Sequence, residues 1–516
     1  MQSRLQNSIK NLLSGFLSRF VIIILGLVVR TVFIKTLGNA YLSVNGLYTN
    51  ILNMLSLAEL GFGTAMVYSM YKPLAEHDDD KLAALMQLYK KVYRIIGWVI
   101  LVLGLCVIPF MDYIIKDPPN VSHLTFYYIM FLVNTVLSYW FFAYKQSILN
   151  ADQKQYICTN YHNIFNIIKS LVQIVSMLVF CNFTLYLVIQ MIATIGENLA
   201  VARAADKKYP ALHVKEKKSL SKDEMDRIKH DVGGLTLSRV AHVILNSTDN
   251  IIISAFVGIS WVGLLSNYTL ITDSVTGVLC QVTSALSASL GNFFTEKGKE
   301  EGYRLFERVE FMNSWLYGFS AICLITLLNP FITVWIGAEY KLSSEIVFAL
   351  SLNFFVAGYM NTLWTFRSTL GLFTQGWGRP LVVACLNVVL SIILGIRLGT
   401  FGVLIATFIS RACVNLWFDP LIIHKYGFGK SVLPFYRMYF FRILEIAAIA
   451  ILIAFIKRLL LLDGVTILNF ILLMVITVFI TLAMFWIFSH RKDEYSYFKS
   501  IILERIVLPL KNKIRK

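Results

Sequence analysis

Several sets of polar residues stand inside apolar stretches of this chain at spacings that keep each set on one helical face. Arg239, His242, Asn246 and Asp249 form one set, and Thr49, Asn53, Ser56, Glu59 and Gly63 form a second. Ser266, Thr269, Asp273, Thr276, Gln281, Ser284 and Ser287 form a third, and Asn163, Asn166, Lys169 or Ser170, Gln173 and Ser176 a fourth. Steps of three and four residues place side chains above one another on a helix. Arg19 and Arg30 are eleven residues apart, about 20° from alignment. The chemistry on offer is solvation and binding of a polar or charged solute. An ionisable group at bilayer depth costs at least about 2.5 to 3.5 kcal/mol, so Arg30, Arg239, Asp249, Glu59 and Lys169 should face a wet cavity or a partner. Lone Ser, Thr and Asn are more simply interhelical hydrogen-bonding groups. Arg19 and Arg239 are near enough to a membrane surface for snorkelling to account for them.

Catalytic or metal chemistry has little to stand on, and the sequence calls for no cofactor, no metal and no catalytic residue. Asp78, Asp79 and Asp80 precede a helix start and read as a cap, since carboxylates favour helix N-termini. His123, His162 and His213 lack ligand partners at metal spacing. No phosphate-binding G-x-x-x-x-G-K-[ST] loop occurs. The glycine-rich run 371–378 reads as a turn.

The elements that position these stripes must be membrane helices. The 516 residues are 57% hydrophobic and 15% charged, with a mean hydropathy of +0.66, whereas soluble domains carry about 25% charged residues. Apolar runs long enough to span, at about 20 residues each, exclude a membrane β-barrel. Fourteen spans are expected, at 14–37, 45–70, 92–115, 123–148, 161–181, 185–205, 233–257, 264–290, 312–334, 345–370, 380–398, 402–423, 439–461 and 466–488. The net charge of +17 does not imply nucleic acid. With the N-terminus inside, 37 of the 47 Lys and Arg fall in cytoplasmic segments and six at outer ends, so both termini are expected in the cytoplasm. The first run reads as a retained span, not a signal peptide. The seven cysteines read as packing residues. Every outer loop is short, which argues against a membrane glycan polymerase or ligase.

The chain also repeats itself at an offset of 220. Ser18-Arg19 falls on Ser238-Arg239, Gly38 on Gly258, Tyr41 on Trp261, Tyr48-Thr49 on Tyr268-Thr269, and Glu76 on Glu296 within matching amphipathic segments 74–91 and 294–311. Six spans per half give both halves one topology, related by a pseudo-two-fold along the membrane normal. The expected division is an N-terminal lobe 1–205, a linker 206–231, a second lobe 232–424, an added helix pair 425–490 and a basic tail 491–516.

Six plus six plus two spans, Ser18-Arg19 opening the first, Leu37-Gly38 before Tyr41, and Gly61-Phe62-Gly63 resemble the polysaccharide transporters of the multidrug/oligosaccharidyl-lipid/polysaccharide (MOP) flippase superfamily. That resemblance implies a bacterial inner-membrane flippase for a polyprenyl-diphosphate-linked oligosaccharide, such as an O-antigen or capsule repeat unit, working by alternating access. It maps cavity cations for the diphosphate onto Arg19, Arg30, Arg239, Lys169 and Arg411. A coupling proton or sodium ion would fall to Glu59, Asp249, Asp273 or Glu197, with pairing to the arginines as the alternative role. Asn53, His242, Asn246, Gln173 and Gln281 would line the cavity. Membrane lipids, glycosyltransferases and a glycan polymerase are the implied partners. A lipid II flippase or a multidrug antiporter of the same superfamily are the competing readings.

Overall fold

The computed structural model describes residues 2–59, 62–209, 225–226, 240, 243–245, 247–372, 375–376, 378–460 and 466–502. Helices make up the fold, and no strand occurs among the described residues. Nine of these helices are long and apolar enough to cross a membrane. A tenth crossing results if Leu124–Trp140 and Ala143–Ala151, bent by 45°, act as one. This is a multi-pass membrane protein.

The expected fourteen do not map one to one onto these helices, because span 233–257 lies partly outside the described residues and some long helical segments each hold more than one expected span. Arg379–Phe428 is one long helical segment that holds two expected spans, broken within at Gly399 (φ 64). The helix Gln2–Leu55 is broken at Gly38 (φ 82, ψ 177). The expected second span does not run straight either: it passes through a 3₁₀ turn, Ser56–Glu59, to a further helix, Phe62–Glu76. The amphipathic segment 74–91 is split near His77 (φ 53). From Asp79 it runs unbroken to Val107, because nothing between these residues stops a helix. Asp78 accepts a hydrogen bond from the Lys81 amide at 3.0 Å, with Asp79 and Asp80 in the first turn, so the acidic triplet is a helix cap. The linker beyond 209 and the end of the basic tail lie largely outside the described residues.

The chain packs as two compact units, Met1–Ser266 with Gly378–Val403 and Asn267–Trp377 with Leu404–Lys516. In the first, glycines let helices close up: a Cβ on Gly97 would meet the Trp140 ring at 2.3 Å, and one on Gly196 would meet Phe165 at 2.7 Å. Aromatic contacts fill the gaps, with Tyr48 against Tyr128 at 5.4 Å and Phe33 against Tyr186 at 5.2 Å, each worth about 0.5 to 1.5 kcal/mol. In the second, Phe306, Tyr359, Phe366 and Phe435 centre one core. Ile322, Ile449, Ile453 and Phe485 join the helices Leu433–Leu459 and Ile467–Ser489 to the segment 298–335.

The cysteines do not all pack inside. Cys158 is buried, Cys280 and Cys323 are half-buried, and Cys106, Cys181, Cys385 and Cys413 are exposed. An apolar run cannot distinguish a core face from a lipid-facing one, because both are apolar.

Candidate functional site

Within the first unit, Arg30 donates from Nη1 to the Ser266 hydroxyl at 2.9 Å, and Ser266 in turn donates to the Gly263 carbonyl at 2.7 Å. Two stripes found separately in the sequence therefore meet. The meeting is set by a close helix crossing: Gly263 has room for no side chain against Ser43 and Asn39, and a Cβ on Gly46 would lie 3.2 Å from Val262. Asn39 also reaches the Ser260 carbonyl, at 3.4 Å.

The helix Gln155–Phe180 supplies the second group. Phe165 lies against Gly196, drawing this helix onto Phe183–Lys208 so that His162 Nδ1 stands 3.0 Å from Glu197 Oε1. Lys169, half-buried, lies seven residues further along the same helix. Gln173 takes a different role from the cavity lining expected of it. It is buried and donates to the Tyr186 carbonyl at 3.1 Å, tying the two helices together.

Glu59 closes the 3₁₀ turn and is held by tyrosines. Tyr139 donates to Oε2 at 2.8 Å, Tyr93 donates to Oε1, and Tyr89 donates to Tyr93 at 3.1 Å. Its hydrogen bonds among the described residues thus come from hydroxyls, whereas the sequence offered only arginines as pairing partners. Tyr89 and Tyr93, one helical turn apart where the amphipathic segment 74–91 runs into the expected span 92–115, were the available signal.

The remaining expected residues are placed as follows. Arg19 is half-buried, with its Nε buried and without a hydrogen-bond partner among the described residues. Asn53 is exposed and Asp249 half-buried. Asp273 is exposed, and Gln281 and Arg411 half-buried, in the second unit. Arg239, His242 and Asn246 lie outside the described residues. Sequence reasoning passed over His162, set aside for want of metal partners. It also passed over the buried pair Arg367 and Asp419, 2.8 Å apart in the second unit. The first unit thus holds two separate polar groupings, Arg30 with Ser266 and His162 with Glu197, the latter with Lys169 on the same helix.

A family model described as "Polysaccharide biosynthesis protein" matches residues 8–288, more than half of the chain. The chain belongs to that family. A relative, the "Uncharacterized membrane protein EpsK" of Bacillus subtilis (strain 168), is 27% identical over 164 residues, 30% of this chain and 31% of EpsK. The match thus spans about a third of that relative's length. Among solved structures, "Lipid II flippase MurJ, inward closed conformation" is similar with a TM-score of 0.63 and 18% identity, over 92% of this chain and 98% of MurJ. An inward-facing multidrug resistance MATE family transporter of the MOP superfamily is similar with a TM-score of 0.57 and 16% identity, over 79% of this chain and 98% of that one. At such identities these likenesses establish the fold. This member of the polysaccharide biosynthesis family thus has the fold shared by those transporters.

Proposed function

We propose that this protein is a flippase that carries a polyprenyl-diphosphate-linked oligosaccharide across the bacterial cytoplasmic membrane by alternating access of lobes 1–205 and 232–424, with both termini in the cytoplasm. The observation that carries the reading is Arg30, held by Ser266 in a half-buried position, about 16 Å beyond Arg19 at 1.5 Å per residue. That depth is too great for an interface anchor. A guanidinium there suits a diphosphate, whose oxygens match its planar fork. The sugar cannot cross about 30 Å of hydrocarbon unaided, while the polyprenyl tail can remain in lipid. Glu59, with its tyrosine partners, and Asp249, Asp273 or Glu197 would bind a coupling proton or sodium ion. The family match favours a polysaccharide unit over lipid II, which shares the lipid diphosphate.

The test is export of surface glycan in cells that depend on this chain. Arg30→Ala abolishes it at normal protein level and insertion, and Arg30→Lys restores only part, because ammonium keeps the charge and loses the fork. Full export by Arg30→Ala would return Arg30 to a structural role and shift the cation assignment to Lys169 and Arg411.

A further inference from the structure

We propose that His162 is a ligand for the anionic head group, and that Glu197 is a built-in placeholder anion which occupies it while the cavity is empty. This rests on the flippase reading above and deepens it by naming the exchange at the diphosphate site. On the helix Gln155–Phe180, the exposed large apolar side chains from Ile164 to Val179 fall on one side at 100° per residue, while Tyr156 and Phe180 at the helix ends lie apart from them. His162 lies about 140° from the centre of that apolar face and about 20° from Lys169. The imidazole thus shares the polar side of the helix, yet 60% of its side chain and 30% of that of Glu197 are exposed. A histidine open to solvent on the side away from the apolar face lines a wet space.

The facing charged groups are few. On its own helix His162 has Lys169 and, one turn back, the Cys158 thiol; the helix Phe183–Lys208 presents Glu197. The helix Gln2–Leu55, which packs against it, carries Arg19, Arg30 and Lys35 among its described side chains. Glu197 is therefore a carboxylate that interacts with Lys169 and is bonded at 3.0 Å to an imidazole, a group that can either donate or accept.

A contact this exposed is weak, because water screens it, so it is easily exchanged. A diphosphate brings more charge and more acceptor oxygens than one carboxylate, and charge-assisted bonds to it are stronger. It displaces Glu197 from His162. The freed carboxylate then stands beside a like charge, which weakens the grip and favours release. Glu197 would thus set both how tightly the head group is held and how readily it leaves.

The experiment uses the full chain purified in detergent, with farnesyl diphosphate and inorganic pyrophosphate as probes. Reaction of His162 with diethyl pyrocarbonate is read by mass spectrometry. Farnesyl diphosphate should protect His162. Glu197→Gln should bind it about tenfold more tightly, His162→Gln about tenfold more weakly, and the double variant between the two, gaining less from loss of the carboxylate than the parent does. In reconstituted transport, Glu197→Gln should lower both KM and kcat. The proposal is overturned if Glu197→Gln binds no more tightly than the parent, or if a bound probe leaves His162 unprotected. It is equally overturned if neither probe binds. Should inorganic pyrophosphate protect His162, and bind Glu197→Gln more tightly, while farnesyl diphosphate does not bind, the exchange stands and the lipid-linked reading falls.

Discussion

Ser43 and Gly263, which the 220-residue repeat places in register, pack so closely that a Cβ on the glycine would lie 2.2 Å from the serine hydroxyl oxygen. A contact between equivalent positions of a repeat is what a local two-fold relation produces, since residue and counterpart then face each other across the axis. The same crossing brings Arg30 to Ser266.

Gly263→Ala should therefore destabilise the protein. The new methyl would also meet the Asn39 carbonyl at 3.1 Å, a backbone atom that cannot swing away. Overpacking of this kind costs about 1 to 3 kcal/mol. Melting in detergent should drop, and Ser43→Gly in the same background should recover part of the loss. An unchanged melting temperature for Gly263→Ala would show that the crossing is looser than described.

Arg367 is nearly fully buried with Asp419, their side chains 5% and 3% exposed. It donates from Nε to the Leu372 carbonyl at 2.8 Å, from Nη1 to Asp419 at 2.8 Å, and from Nη2 to the Gln375 carbonyl. One guanidinium thus pins the glycine-rich turn to the helix that carries Asp419. Arg367→Ala takes the guanidinium away from a buried carboxylate and two carbonyls and should cost about 3 to 5 kcal/mol. Arg367→Lys should recover little, because one ammonium cannot serve three divergent acceptors. Thermal melting of the two variants decides the point; equal stability of Arg367→Lys and the parent would contradict it.

Asp152 sits between Lys154 and Tyr209, from both of which it accepts hydrogen bonds. Burial pushes its carboxyl up, but the bonds from Lys154 and Tyr209 outweigh it and hold the group below its ordinary value. Burial, with Asp152 adding to it, pushes Tyr209 up to about 12. The carboxylate's contribution to stability is present above about pH 4 and is lost as pH falls through the lowered folded value. The tyrosine's contribution is present below about pH 10 and is lost as pH rises through about 12. Asp152→Asn should lower the melting temperature at pH 7, and the gap should close towards pH 3. A gap of the same size at both pH values would show that the charge is irrelevant there.

Topology is open to direct measurement. Single cysteines introduced into 206–231 and after 489 should react with membrane-impermeant thiol reagents only once cells are opened, while one at Lys341 should react in intact cells. The 37 to 6 split of basic residues motivates this expectation. Labelling of the linker from outside would reverse the orientation of every span.

What the sequence determined by itself was the membrane class, the approximate extent of most helices and the repeat, because hydrophobic length and helical period are local properties of the chain. The helices Gln155–Phe180 and Phe183–Lys208 lie where apolar runs predicted spans. Gly38 and Gly258, equivalent in the repeat, both take positive φ, 82° and 143°, a region that a residue without Cβ enters at little cost. Tyr48 and Tyr268, likewise equivalent, are both fully buried. They bond differently: Tyr48 donates to the Leu124 carbonyl, whereas Tyr268 donates to Asn329 and accepts from the Leu342 amide.

Tertiary structure alone decided the partners. A stripe of polar residues fixes which face of a helix is wet, yet it holds no information about which helix stands opposite. Glu59 therefore went to tyrosines, Glu197 to a histidine set aside for lack of metal partners, and Arg30 to a serine far away in sequence. Breaks such as the 3₁₀ turn at Ser56–Glu59 were equally out of reach. Hydropathy averages over a window about as long as a span, while a turn of four residues is settled by the contacts its side chains find.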